Sequence, residues 1–201
     1  MLTIDDKPTL FMQPVSRSSN VYVLYDDDSK NNLSDTFECK TIEDLNKAYN
    51  SKSAKILVDE GGANNQILQK FRIAISVTGE YTTYHGGTVA GALAAINATL
   101  SRVNEVFETD LAVKFELVDA TQLIYTDATT DPYSDASTGV DGPWNVELQN
   151  TLSTELGTTL IEANAAYDIG HLFGNGAGGG NAGCIGCVCR DDTSSLTDTN
   201  K

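Results

Sequence analysis

Three consecutive segments leave this chain little choice of architecture. Residues 71–78 (FRIAISVT) alternate at period two, the pattern of a β-strand. Gly86-Gly87 then breaks the chain, and Thr88 offers a helix N-cap. Behind it Val89, Ala92, Leu93, Ile96, Leu100, Val103 and Phe107 recur at helical spacing, which predicts an amphipathic helix of about five turns. Residues 111–118 (LAVKFELV) read as a second strand. Strand, long helix and strand make a βαβ unit, so the expected fold class is α/β with a twisted, mostly parallel sheet. The apolar face of the helix is rich in Ala, which favours close packing on that sheet.

The rest of the chain is arranged around this unit. Residues 21–25 (VYVLY) combine β-branched and aromatic side chains and predict a strand, followed by a polar turn over residues 26–32 whose spacing matches no calcium loop. Residues 43–70 are polar, contain Gly61-Gly62, and read as a linker or weak helix suited to proteolytic processing. Residues 126–143, rich in Asp, Thr, Ser, Gly and Pro, predict a long surface loop. Val146, Leu148, Leu152, Leu156 and Leu160 predict a second helix from about residue 145, and residues 167–173 (YDIGHLF) a third strand. Residues 174–183 are so rich in Gly that a loop with unusual backbone angles is expected.

The formal charge of −15 and pI near 4.3 argue against nucleic-acid and membrane partners, because such a field repels phosphate backbones and anionic lipid. Calcium, cationic substrates and plain solubility are all compatible with it. No window approaches the roughly 20 apolar residues of a membrane helix. The start, MLTIDDK, has no basic region followed by an apolar run and does not read as a signal peptide, so the expectation is either a cytosolic protein or a missing true beginning, and cysteine usage favours the second. Of the four Cys, Cys39 stands alone while Cys184, Cys187 and Cys189 cluster, which suits an oxidising compartment or a metal site.

Complete catalytic sets are missing. The chain holds two His, His85 and His171, in different contexts, and contains no H-E-x-x-H, no G-x-S-x-G and no P-loop. Each His reads first as a structural hydrogen-bonding residue. The Gly-rich loop opens no helix, so it lacks the context of a phosphate cradle. The three clustered Cys could hold a metal but lack a nearby fourth ligand; disulfide bonding is the stronger reading.

Taken in order, residues 71–84 (FRIAISVTGEYTTY), the helix from Thr88, residues 111–118, LIYTD at 123–127, the second helix and YDIGHLF resemble the reprolysin (adamalysin) branch of the metzincin zinc endopeptidases, bacterial secreted members above all. Residues 180–189 (GNAGCIGCVC) resemble the stretch that precedes the family's active-site helix. The resemblance implies residues 71–201 to be the N-terminal part of a catalytic domain, with an antiparallel edge strand in its sheet, and residues 1–70 to be a partial propeptide and linker. It implies zinc as cofactor, a zinc-activated water attacking a peptide carbonyl, a secreted or cell-surface location, and peptide or protein substrates. The motif H-E-x-x-H-x-x-G-x-x-H, which supplies the ligands and the general base, is absent before Lys201, so the chain alone is expected to be inactive.

The resemblance also places substrate binding by β-augmentation at Gly180, Asn181, Ala182 and Gly183. It makes Cys39 a candidate latency cysteine, although Lys40 stands where the family carries Gly; a free thiol or a disulfide is the alternative. Without a covering helix, exposed apolar surface is expected to promote self-association. The competing reading is a non-catalytic extracellular binding or adhesion domain that uses the acidic loops for calcium.

Overall fold

The structure, a computed structural model, describes residues 10–14, 21–26, 67–176 and 179–182. The chain divides into two compact units, Met1–Thr36 and Phe37–Lys201. In the first, β1 (Leu10–Pro14) pairs antiparallel with β2 (Tyr22–Asp26), in a register running from Leu10 opposite Asp26 to Pro14 opposite Tyr22. The strand expected at 21–25 is therefore present, one residue further on.

The second unit begins with β3 (Gln69–Val77), α1 (Gly79–Tyr84), α2 (Val89–Leu111) and β4 (Val113–Leu117). A 3-10 turn (Thr121–Leu123) follows, then α3 (Ala136–Gly139), α4 (Pro143–Glu155), α5 (Leu160–Ala166) and β5 (Ile169–Phe173). The sheet order is β4-β3-β5, and both pairings are parallel. The first half of β3 pairs with β4, from Gln69 opposite Val113 to Ile73 opposite Leu117. Its second half pairs with β5, from Ile73 opposite Ile169 to Val77 opposite Phe173. A single parallel bridge from Val77 to Ile124 extends the sheet after the 3-10 turn. The expected mixed α/β architecture stands; an antiparallel edge strand does not occur among the described residues of this unit.

β3 is central because its last five residues are buried on both faces. Ile73, Ile75 and Val77 face α2 and pack with Ala92, Ile96, Leu100 and Ile124. Ala74 faces the opposite way and packs with Leu123, Leu148, Leu152 and Tyr167 below α4. Period-two alternation thus feeds two cores, one on each side of one sheet.

α2 starts as the sequence dictates, with Gly91 N donating to Thr88 Oγ1 at 3.1 Å. It runs 23 residues, one turn past Phe107, so Leu111 ends the helix instead of opening the strand. The stop is Ala112 at φ 52°, ψ 40°, whose N–H donates to Phe107 O. This is a left-handed cap on a residue other than Gly.

Four expectations need correction. β3 opens at Gln69, inside the stretch expected to be linker. α1 forms over residues 79–84 (GEYTTY), between the expected strand and the Gly86-Gly87 break, where no helix is expected and the Tyr and Thr content favours a strand. Tertiary contacts decide against that composition: Gly79 lies flush on the Asp127–Ala128 backbone, where a Cβ would sit 2.1 Å from Ala128 N, and Thr78 Oγ1 caps Tyr81 N at 3.3 Å. The long loop at 126–143 contains α3. The helix expected to reach Leu160 breaks into α4 and α5, because Thr159 and Glu162 form a reciprocal capping box that starts a new helix.

The candidate peptide-binding segment

Gly180, Asn181 and Ala182 are described; Gly183, Cys39, Cys184, Cys187 and Cys189 lie outside the described residues. The chain leaves β5 at Phe173 and passes Gly174, which rests against the Trp144 ring. A Cβ on Gly174 would sit 2.3 Å from Trp144 Cη2, and one on Gly139 would sit 2.0 Å from Trp144 Nε1. The indole is therefore seated on two glycines, and Nε1 donates to Ser134 O at 2.7 Å. Ser134 is held in turn by the Glu147 carboxylate, which accepts from its N–H at 2.9 Å and also from its hydroxyl.

One residue beyond Trp144, Asn145 Nδ2 donates to Asn181 Oδ1 at 2.9 Å. Asn181 Nδ2 points back toward Val140 O at 3.4 Å. The candidate segment is thereby tied to the start of α4. Gly180 makes an isolated β-bridge, Asn181 is half-buried and Ala182 is exposed. Sequence reasoning named the segment but missed Trp144 and Asn145. Only the small residues at 139 and 174 hinted that a bulky ring had to be accommodated.

The two histidines join one run of rings on the α2 side of the sheet. His171 meets Phe173 edge-on at 4.7 Å, Phe173 stacks on Tyr81 at 5.5 Å, and Tyr81 lies 4.4 Å from His85. His85 also meets Tyr84 at 5.0 Å and closes α1 as its C-cap. Surrounding protein pulls the His171 pKa downward by desolvation, but the residue is exposed to water, which limits that pull. On this side of the sheet Ile169 and Phe173 are only half-buried and His171 is exposed, whereas on the other side Gly170 lies under Leu152. β5 is covered on one face and partly open on the other.

The acidic loop works locally. Asp131 accepts from Gly79 N at 2.7 Å and from Tyr133 N at 3.0 Å, fastening the loop to the start of α1. Asp127 accepts from Thr129 N at 2.8 Å and from Thr129 Oγ1 at 2.7 Å, and these bonds hold its carboxyl below the usual range. Tyr133 reaches under the sheet, where its hydroxyl donates to Ser76 Oγ at 2.6 Å and burial pushes its pKa up.

A three-stranded parallel sheet with helices on both faces is compatible with a metallopeptidase-like fold. Residues 68–200 match the metallopeptidase family M12B, reprolysin-like, well over half of the chain, and the chain belongs to that family. No curated protein matches it. Family members generally use zinc. A site of that kind needs three imidazoles, yet the chain has only His85 and His171, with two further rings between them. Among the described residues no three His, Cys, Asp or Glu converge on a point. The residues described do not fit the metal. Among them, too, no helix is long and apolar enough to cross a membrane.

Proposed function

We propose that this chain is the scaffold and part of the substrate cleft of a secreted zinc endopeptidase, with its metal ligands carried by polypeptide that follows Lys201. The observation that carries the reading is membership of the reprolysin-like M12B family in a sequence that holds no H-E-x-x-H. The half-buried Ile169 and Phe173 and the exposed His171 on one face of β5 are consistent with a further element packing there. On this reading residues 1–201 do not hydrolyse peptides by themselves.

Gly180, Asn181, Ala182 and Gly183 receive the substrate by main-chain pairing, the peptide lying alongside as an added strand. Small residues at these positions let a second backbone approach, and the exposure of Ala182 is consistent with an accessible edge. Cys39 acts in a pro-segment as the latency thiol, and Cys184, Cys187 and Cys189 form disulfides. The coding sequence after Lys201 tests the reading. Continuation into H-E-x-x-H-x-x-G-x-x-H supports it, and a stop codon there overturns it in favour of a binding module. For the latency role, Cys39→Ala in the zymogen should raise activity before processing; unchanged latency removes that role.

A further inference from the structure

We infer that Asn175 is a site of self-modification: its side chain closes onto the Gly176 nitrogen to form a succinimide, which water then opens to aspartate or isoaspartate. The inference does not rest on the peptidase reading. Asn175-Gly176 is the single Asn-Gly pair of the chain. Closing the five-membered ring requires the next residue's backbone nitrogen to reach the side-chain carbonyl carbon. A side chain on that next residue crowds the approach, and glycine removes the crowding.

The fold leaves both reacting groups accessible. The two residues form a bend beyond the end of β5 at Phe173, and both are exposed. Among the described residues no hydrogen bond engages the Asn175 amide or the Gly176 N–H. Gly176 sits at φ 112°, outside helix and strand, so no ladder bond has to break before its nitrogen can turn.

Competing positions are held. The Asn181 amide, further along the same return, accepts from Asn145 Nδ2 at 2.9 Å and faces Val140 O at 3.4 Å. Asn104 commits both ends of its amide to Phe115, and Asn97 Nδ2 donates to Leu93 O at 2.9 Å within α2. Asp141-Gly142 could form the same ring, but there Gly142 N donates to Gly139 O at 3.1 Å. Intramolecular attack depends on orientation as much as on proximity, so a group bonded elsewhere loses the advantage.

The step balances with water alone. The Gly176 nitrogen bonds to Asn175 Cγ and gives up its proton, the Cγ–Nδ2 bond breaks, and ammonia carries that proton away. Water then opens the ring at either carbonyl. Breaking the new bond to Cγ leaves aspartate in an ordinary backbone, whereas breaking the original peptide bond leaves isoaspartate, with the main chain running through Cβ and Cγ. Either product puts a carboxylate where a neutral amide stood, and isoaspartate adds a carbon to the main chain. Gly174 rests on Trp144 and Gly180 makes a β-bridge, so that added length falls between two anchored points.

The experiment keeps the full 201-residue chain in mildly alkaline buffer for days, natively and in guanidinium chloride, and follows it by peptide mapping with mass detection. Parallel samples receive hydroxylamine, which cleaves the chain at a succinimide. A gain of about one mass unit is expected in the peptide holding Asn175. The native rate should lie within about threefold of the unfolded one, because nothing has to open first. Hydroxylamine should cut between residues 175 and 176. Asn175→Gln, which can close only a larger ring, should lower both signals at least about tenfold. A native chain that keeps Asn175 intact while the unfolded chain converts would overturn the inference, and so would conversion of Asn181 as fast as that of Asn175. Mass gain without hydroxylamine cleavage overturns it too, since direct hydrolysis of the amide makes no ring.

Discussion

Asn104 closes the outer edge of β4, and removing its side chain should cost the domain a measurable part of its stability. The residue lies on α2, where Nδ2 donates to Phe115 O at 2.8 Å and Oδ1 accepts from Phe115 N at 2.8 Å. Both backbone groups belong to one residue of a parallel strand, so they point away from β3, and a single amide stands in for a missing neighbour strand. Each such bond contributes about 0.5–1.5 kcal/mol net, which gives about 1–3 kcal/mol for the pair. Replacing Asn by Ala inside a helix returns roughly 0.5 kcal/mol through propensity. Asn104→Ala should therefore destabilise by about 0.5–2.5 kcal/mol. Asn104→Asp keeps the acceptor for Phe115 N but sets a carboxylate against Phe115 O, so no rescue beyond half is expected. Urea unfolding followed by the fluorescence of Trp144, the single tryptophan, reads the change directly, with an unaltered slope showing that the same surface unfolds. An Asn104→Ala variant as stable as the parent would refute the idea that this amide completes the edge.

Other consequences are equally specific. Ala112 at φ 52° should welcome glycine, and Ala112→Gly should stabilise by roughly 0.5–1 kcal/mol in the same urea assay, the left-handed strain outweighing the entropy cost. Gly174→Ala should destabilise more than Gly170→Ala, because the new methyl meets the Trp144 ring at one site and a rotatable Leu152 methyl at the other; thermal midpoints rank the two. Bonds from Thr158 and Thr159 depress the Glu162 pKa below its ordinary value of 4.5, so this cap's contribution is whole above that value and fades as pH falls through the lower folded-state value. Glu162→Gln should flatten that part of an acid titration followed by far-UV circular dichroism.

The legible parts of this fold are those with a local cause. The α2 helix announces itself through Thr88 and seven apolar residues at helical spacing, and β3 through alternation that later divides between two cores. The T-x-x-E pattern at Thr159 and Glu162 was also readable, yet the leucines at 156 and 160 continued the earlier period and hid the break. α1 was hidden for another reason: its strand-like residues are overruled by Asp131, some fifty residues away, which holds Gly79 N. Of the candidate site, the small residues were visible from sequence. The tether from Asn145 was not, because two asparagines 36 positions apart leave no periodic or compositional trace. Tyr167 shows the same limit, expected in the third strand but buried beneath α4 with its hydroxyl taking a bond from Gln149 at 2.9 Å.

The account depends on a peptide-binding scaffold that lacks its own hydrolytic centre. The direct measurement is cleavage of dye-quenched casein by the purified 201-residue chain supplied with zinc, with and without a chelator. The expected result is no chelator-sensitive cleavage. Cleavage that requires zinc and stops on chelation would contradict the account, since it would place a working metal centre among residues in which no third imidazole exists.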